Sequence, residues 1–586
     1  MSTDLRTSTR PGPAPSGAAG DGVERVGRGS IARRRLAGTL LVGLPLGWAL
    51  VRTFGDGEDL VNTGGMRVLR GLLGGLLDPA TSPEFLAVVG RATVTTVVFA
   101  ALGTAGALLI GAVGGLVLSD AAWGRHPPLV VRGVRLVLRG VLVAVRAIHE
   151  LIWALLLVSV LGLDPLVAVL AIALPFGAQT AKVVGDTLDN VPRGPTEALR
   201  ATGAGSLVSL AYATLPSAAP LLVSYAFYRF ECAVRSAVIL GVVGIGGLGA
   251  EIATSLQSRN WDEVWTLVGA VVLLSAAIEW WSSRVRGDLA VATCSDWAAA
   301  AAPGSRGPRR RASARLTVVA ALVLVVVAWF SSGVSLQGLT SERTARLLPR
   351  LLDEMWPPVT TPGGWPEIGA ATLDTLAMSL VAMLVAVSVT LVLGPFVTRP
   401  RPAREAVPSR VTRGTRGTAR VLAGALLLVL RSVPPTVWAA VLLLGLFPGV
   451  LPGALALGLY TGGILGRLVA EAWDGIDLRP RNALRAAGVT PSTAALVAVV
   501  PPSSRHLVTY TLYRFEICVR DTAIVGVVGA AGLGRLLSEN LSVFRFDAVT
   551  TLLGASFLVS VGAELVGRGV RRSLAVEGGR RGRTST

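Results

Sequence analysis

The sequence is poor in the residues that most often carry chemistry. It has one lysine, Lys182, and only three cysteines and three histidines among 586 residues. A Walker loop needs a lysine in the pattern G-x-x-x-x-G-K-[ST] to reach the β- and γ-phosphates of a nucleotide. Lys182 lies in "TAKVVG", so the chain carries no such loop. Cys232, Cys294 and Cys518 stand apart, with neither a metal-binding spacing nor a disulfide framework; they read as small apolar filler. His126, His149 and His506 are equally scattered. No metal, cofactor or catalytic constellation is expected, and any ATP hydrolysis belongs to another chain.

Charge is scarce as well. Charged side chains make up 16% of the chain against 52% hydrophobic ones, where a soluble domain carries about 25% charged residues. This composition belongs in a membrane. Apolar segments of spanning length recur at 36–51 (a marginal one), 93–118, 148–163, 165–181, 207–228 and 264–281. The series restarts at 316–330, 372–397, 421–447, 451–468, 494–513 and 549–566. The expectation is an all-α polytopic membrane protein of about 12 transmembrane helices.

The formal charge of +19 would suggest a nucleic-acid partner if the basic residues formed one soluble face. They lie instead between the spans. Arg33, Arg34 and Arg35 precede the first, Arg284, Arg286, Arg306, Arg309, Arg310 and Arg311 fill the middle, and Arg568, Arg571 and Arg572 follow the last. The positive-inside rule makes all three regions cytoplasmic, which six spans in each half satisfy. The partner implied is membrane lipid, not nucleic acid, in a multi-pass cell-membrane protein with both termini cytoplasmic. Residues 1–35 read as a disordered basic tail before an uncleaved anchor, and 573–586 as a basic C-terminal tail.

The chain also repeats itself. "YRFECAVRSAVILGVVGIGGLG" begins at Tyr228 and "YRFEICVRDTAIVGVVGAAGLG" at Tyr513, 285 residues on, with 14 of 22 positions identical. The same offset relates Arg146 to Arg431, Trp153 to Trp438, Lys182 to Arg467, Arg200 to Arg485, Gly203 to Gly488 and Pro216 to Pro501. Two membrane repeats, 36–290 and 315–572, are therefore expected around a cytoplasmic linker, 291–314. An even number of spans in each makes the repeats parallel, with a pseudo-two-fold axis along the membrane normal and a pathway at the seam.

Three motifs stand out within each repeat. "EALRATGAGSLVSLAYATLP" and "NALRAAGVTPSTAALVAVVP" read as a short helix, a glycine turn and a second helix on the cytoplasmic side. Such a knob suits insertion into a groove on a partner, or is an ordinary helical hairpin. The charges Arg229, Glu231, Arg235 and Arg514, Glu516, Arg520 are expected at the outer end of the fifth span of each repeat. Glu231 and Arg235, four apart, could simply pair on one helical face; the alternative leaves Arg229 and Arg514 facing a polar vestibule. The glycines that follow are Gly241, Gly244, Gly247 and Gly249, then Gly526, Gly529, Gly532 and Gly534. They suit either close helix packing or a gate whose backbone bends toward its twin. Arg146 and Arg431 are expected to snorkel to lipid headgroups.

The glutamate-alanine, glycine and leucine-proline of the knob resemble the coupling loop of binding-protein-dependent ABC importer permeases. With "YRFE", "VRSA" and "VGIGGLG" the chain resembles the phosphonate importer permease family, here as a tandem fusion of two units. The resemblance implies two copies of an ABC ATPase docking at Glu197, Ala198 and Gly203 and at Asn482, Ala483 and Gly488. It also implies an extracytoplasmic substrate-binding protein and a phosphonate or related small oxyanion as cargo. Asn482 departs from the family's glutamate. Permeases for methionine, polar amino acids, phosphate or phosphite share the knob. An ion-coupled secondary transporter would place acidic residues within its spans, whereas Asp and Glu here read as lying at span ends.

Overall fold

The computed structural model describes residues 43–55, 61–123, 128–290, 308–398, 410–583, and these are helical apart from turns and one isolated bridge between Val61 and Leu446. The basic tail 1–35 and most of the linker lie outside the described residues. Residues 1–48 form a unit of their own; everything below concerns the second unit, from Ala49 onward.

Seven described helices are long and apolar enough to cross a membrane, and nine spans result if two bent pairs each count as one. In a bilayer the backbone must satisfy its own polar groups, so spans are helical. Their ends are set by local chemistry. Ser82 accepts a hydrogen bond from Phe85 N ahead of Pro83, and Asp164 caps Leu166 N ahead of Pro165. The expected span at 148–163 differs. Its helix, Glu150–Leu161, has 12 residues, about 18 Å at 1.5 Å per residue, and meets Leu129–Ala147 at 94°. Gly417–Ser432 and Pro435–Gly445 repeat the bend at 91°. Proline breaks the second pair at Pro434 and Pro435; in the first, His149 is extended and its Nδ1 caps Leu151 N at 3.2 Å.

From the second span on, equivalent helices begin 285 residues apart: Pro165–Asn190 with Val450–Asp474, Gly194–Ala201 with Arg479–Ala486, Leu248–Ser258 with Leu533–Ser542. The offset fails for Pro83–Leu118 and Gly364–Val397. There Thr96 and Thr375 are equivalent, each accepting from a backbone N–H, Leu248 or Leu533, at 2.9 Å. The stretch between these threonines and the bent pair, marked by Arg146 and Arg431, is six residues longer in the second copy, the offset rising from 279 to 285.

Small residues let the long helices approach. A Cβ at Gly115 would meet Val184 at 2.6 Å, and one at Gly458 would meet Val385 at 2.6 Å. The glycine lies on the earlier helix in one copy and on the later helix in the other.

The two copies are also interlocked. Ala49 is buried in a cluster with Ala377, Met378 and Val381 of the second copy, and Arg52 Nε bonds Asp374 Oδ1 at 3.0 Å. Reciprocally, Ala328 and Val334, which open the second copy, are buried with Val98 and Phe99 of the first. Each copy's leading segment thus packs on the other copy.

Candidate translocation site

The charged motifs lie deeper than the sequence suggests. Hydropathy ends a span at Tyr228, but the helix Leu215–Leu240 continues, within a helical stretch from Ser206 to Ile245. Arg229 is 4% and Glu231 8% exposed. The helix runs on past the charges with both side chains buried against protein. Glu231, Glu516 and Asp521 therefore sit well inside long helices, not at span ends.

The two copies satisfy the same motif differently. In the first, Arg235 pairs with Glu231, as the four-residue spacing expects. In the second, Glu516 accepts from Arg571 Nη2 at 2.7 Å, reaching across to the Phe546–Arg583 helix. Arg520 instead donates to the carbonyl oxygen of Arg146, in the other copy, at 3.3 Å.

Arg146 and Arg431 do not snorkel to lipid. Arg146 Nη2 lies 3.2 Å from both oxygens of Glu564, and Arg431 pairs with Glu279. Glu279 and Glu564 are equivalent positions, so each copy's arginine crosses to the other copy's last helix. A carboxylate at hand outcompetes headgroups, since all four side chains are mostly buried.

Between the copies lies a cavity of about 540 Å³, lined by seven arginines and five carboxylates drawn from both. The six motif residues Arg229, Glu231, Arg235, Arg514, Arg520 and Glu516 divide here: all but Glu516 line it. Arg229 Nε donates to Tyr225 Oη at 2.7 Å, and its guanidinium lies 4.7 Å from the Phe176 ring centroid. Among the described residues no carboxylate pairs with Arg229. Arg514, 7% exposed, has Nη2 3.5 Å from Thr461 Oγ1 and 4.0 Å from Asp521 Oδ2, while its Nε has no partner.

A second group went unread in the sequence. His149 Nδ1 accepts from Leu151 N, which leaves the proton on Nε2. Nε2 then points to Glu150 Oε2 at 3.1 Å, with Asp521 Oδ1 at 3.7 Å. Ser236 donates to Glu150 Oε1 at 2.6 Å. Its counterpart is Asp521, and the counterparts of His149 and Glu150 are Pro434 and Pro435. The cluster exists once. Its available signal was the change at Ser236/Asp521, the one mismatch in the repeated 22-residue stretch that brings in a charge.

The glycines end the cavity helices. Gly244 and Gly247 have φ of 91° and 78°, Gly529 and Gly532 of 107° and 94°. A Cβ at Gly247 would lie 2.7 Å from Thr96 Oγ1, and at Gly532 2.7 Å from Thr375 Oγ1. The backbone bends as expected, but the close neighbours come from the same copy. Gly241 packs on Gly249 and Gly526 on Gly534, again within one copy.

The knobs are separate and exposed. The Gly194–Ala201 and Arg479–Ala486 helices bury no residue. Gly203 and Gly488 turn the chain at φ 86° and 84°, with open space around each. Glu197 and Ala198, like Asn482 and Ala483, face outward, beside exposed Leu207 and Leu496.

A multi-pass helical chain with a charged cavity between two repeated units has the build of a membrane transport component. The chain belongs to the family of binding-protein-dependent transport system inner membrane components, whose domain occurs twice, at 129–285 and 411–573. Such a component works with a binding protein and an ATPase and is not itself an enzyme. Over 503 residues it is 29% identical to the phosphate-import permease protein PhnE of Mycolicibacterium smegmatis, covering 83% of this chain and 86% of that one. It is 34% identical over 181 residues to the phosphite transport system permease protein PtxC of Stutzerimonas stutzeri, covering 31% and 62%. Over 106 residues it is 34% identical to the putative cryptic phosphonate transport system permease protein PhnE2 of Escherichia coli K12, covering 18% and 87%. No solved structure matches the chain.

Proposed function

We propose that this chain is the complete pair of permease units of an ATP-driven importer for a phosphorus oxyanion: phosphonate, phosphite or phosphate. The observation that carries it is the cavity itself, arginine-rich, buried and built from both copies. The relatives named for phosphate, phosphite and phosphonate transport support the cargo class. The crossed pairs Arg146 with Glu564 and Arg431 with Glu279 support two parallel repeats, 36–290 and 315–572, related by a pseudo-two-fold axis with six spans each.

In this reading one ATPase docks on each knob, at Glu197, Ala198 and Gly203 and at Asn482, Ala483 and Gly488. The exposed helix and open turn support that role. The knobs, which follow the ends of the Pro165–Asn190 and Val450–Asp474 helices, lie on the cytoplasmic face in this reading, as do both termini. The glycine loops face the extracytoplasmic binding protein. Nucleotide-driven closure of the ATPases moves the knobs together and opens the seam at the glycines, which bend without steric cost. Cargo then passes Arg229, Glu231, Arg235, Arg514 and Arg520, and no covalent bond is made.

The test is reconstitution of the purified chain in proteoliposomes with an ATPase and a binding protein encoded beside it. ATP-dependent accumulation of radiolabelled phosphate or methylphosphonate is expected. Accumulation of methionine or a polar amino acid, with none of either phosphorus anion, overturns the cargo; uptake driven by an ion gradient without ATP overturns the class.

A further inference from the structure

Arg514 and Asp521 are both buried, both line the cavity and neither is satisfied by protein. Arg514 has one long contact with Thr461 and an unpartnered Nε. Asp521 has His149 Nε2 at 3.7 Å and Arg514 Nη2 at 4.0 Å, beyond hydrogen-bond reach. The neighbouring acid is different: Glu150 is engaged on both oxygens, by Ser236 and by His149. From the other copy Arg229 faces the same cavity with no carboxylate partner among the described residues.

A buried guanidinium and a buried carboxyl group, each short of a partner, are costly in a low-dielectric site. They stand 4.0 Å apart, close enough to attract but with no hydrogen bond between them, and both open onto the same cavity. What completes both must accept from arginine and donate to a carboxylate. A fully deprotonated oxyanion meets only the first demand and brings negative charge against Asp521. A singly or doubly protonated tetrahedral oxyanion meets both, because its oxygens accept while its hydroxyl donates.

We propose that Arg514, Asp521 and Arg229 form an oxyanion subsite in the permease itself, and that Asp521 selects the protonated form. Arg514 and Arg229 donate to the anion's oxygens. Asp521 accepts the hydrogen bond from its P–OH. The subsite takes phosphate or a phosphonate monoanion and rejects sulfate, which has no proton to give near neutral pH. This rests on the importer reading above and adds a second selection step after the binding protein. The asymmetry of the cavity fits the task, since one acceptor is enough for one hydroxyl and Ser236 stands where a second carboxylate would repel the anion.

The experiment measures anion binding to the purified full-length permease in nanodiscs, without binding protein, by titrating inorganic phosphate and sulfate against thermal unfolding and against a fluorescent reporter placed beside the cavity. Wild type should bind phosphate at least about tenfold more tightly than sulfate, the minimum for facing a buried carboxylate with no donor. Asp521→Asn, whose amide can donate to sulfate, should bring the ratio close to one. Arg514→Gln should lose both anions, and Arg514→Lys should retain phosphate weakly with a monodisperse gel-filtration peak. Equal affinities in wild type, no binding of either anion, or an unchanged ratio in Asp521→Asn overturns the subsite. Proteoliposome uptake separates the two claims: ATP-driven phosphate uptake by a permease that binds no anion removes the subsite alone, and absence of uptake removes the importer reading.

Discussion

Arg146 holds Glu564 through both carboxylate oxygens at 3.2 Å, and the partners belong to different copies of the repeat. Arg431 and Glu279 make the reciprocal pair. The two bridges fasten each copy's bent-helix corner to the other's last span. Arg146→Gln leaves Glu564 with only the more distant Arg568, 3.8 Å away, and should cost on the order of 3 kcal/mol. Thermal unfolding in detergent should show the loss. The exchanged variant, Arg146→Glu with Glu564→Arg, should recover at least half of it; recovery of none would mean that the arginine acts through packing alone.

The repeated motif predicts unequal partners. In the first copy Glu231→Gln and Arg235→Gln should be non-additive, because they remove the two ends of one pair. In the second copy the coupled positions are Glu516 and Arg571, which lie 55 residues apart in sequence. Glu516→Gln and Arg571→Gln should couple, and Glu516→Gln with Arg520→Gln should add. Double-mutant cycles on melting temperature decide it, and coupling of Glu516 to Arg520 would contradict the arrangement seen here.

Gly203 and Gly488 occupy left-handed backbone in open space. Valine at either position costs about 1–2 kcal/mol locally and re-aims the knob without touching the core. Gly203→Val with Gly488→Val should leave membrane insertion intact and reduce co-purification of the ATPase by about tenfold. Asn482→Glu should leave co-purification equal or raise it. Unchanged ATPase recovery in the glycine double variant would remove the knobs from the docking surface.

Much of this organisation is legible in the sequence because it is local or repeated. The apolar segments, the glycine turns at Gly203 and Gly488 and the pairing of Glu231 with Arg235 follow from composition and spacing. What escapes reading is whatever depends on one copy meeting the other. Asp374, Glu279 and Glu564 are carboxylates within apolar stretches of their helices, and nothing nearby in sequence names Arg52, Arg431 or Arg146 as their partners. The depth of "YRFE" escapes for a related reason. A hydropathy window ends at the first charges, whereas the helix ends where its backbone runs out of partners, at Gly244. The 94° bend at His149 is hidden too, since only the second copy marks the corner with proline.

The acid cluster of His149, Glu150 and Asp521 draws on both copies of the repeat, and its equivalent positions, Pro434, Pro435 and Ser236, form no twin. A pore assembled from two identical chains must write every substitution on both walls at once, and a carboxylate that helps on one side arrives uninvited on the other. Joining the units in one gene removes that constraint. Each copy can then be altered alone, so that equivalent positions diverge, with a carboxylate at Asp521 in one copy and a hydroxyl bonded to Glu150 at Ser236 in the other. With both units in one chain, single mutations reach cavity chemistries that a pair of identical subunits cannot.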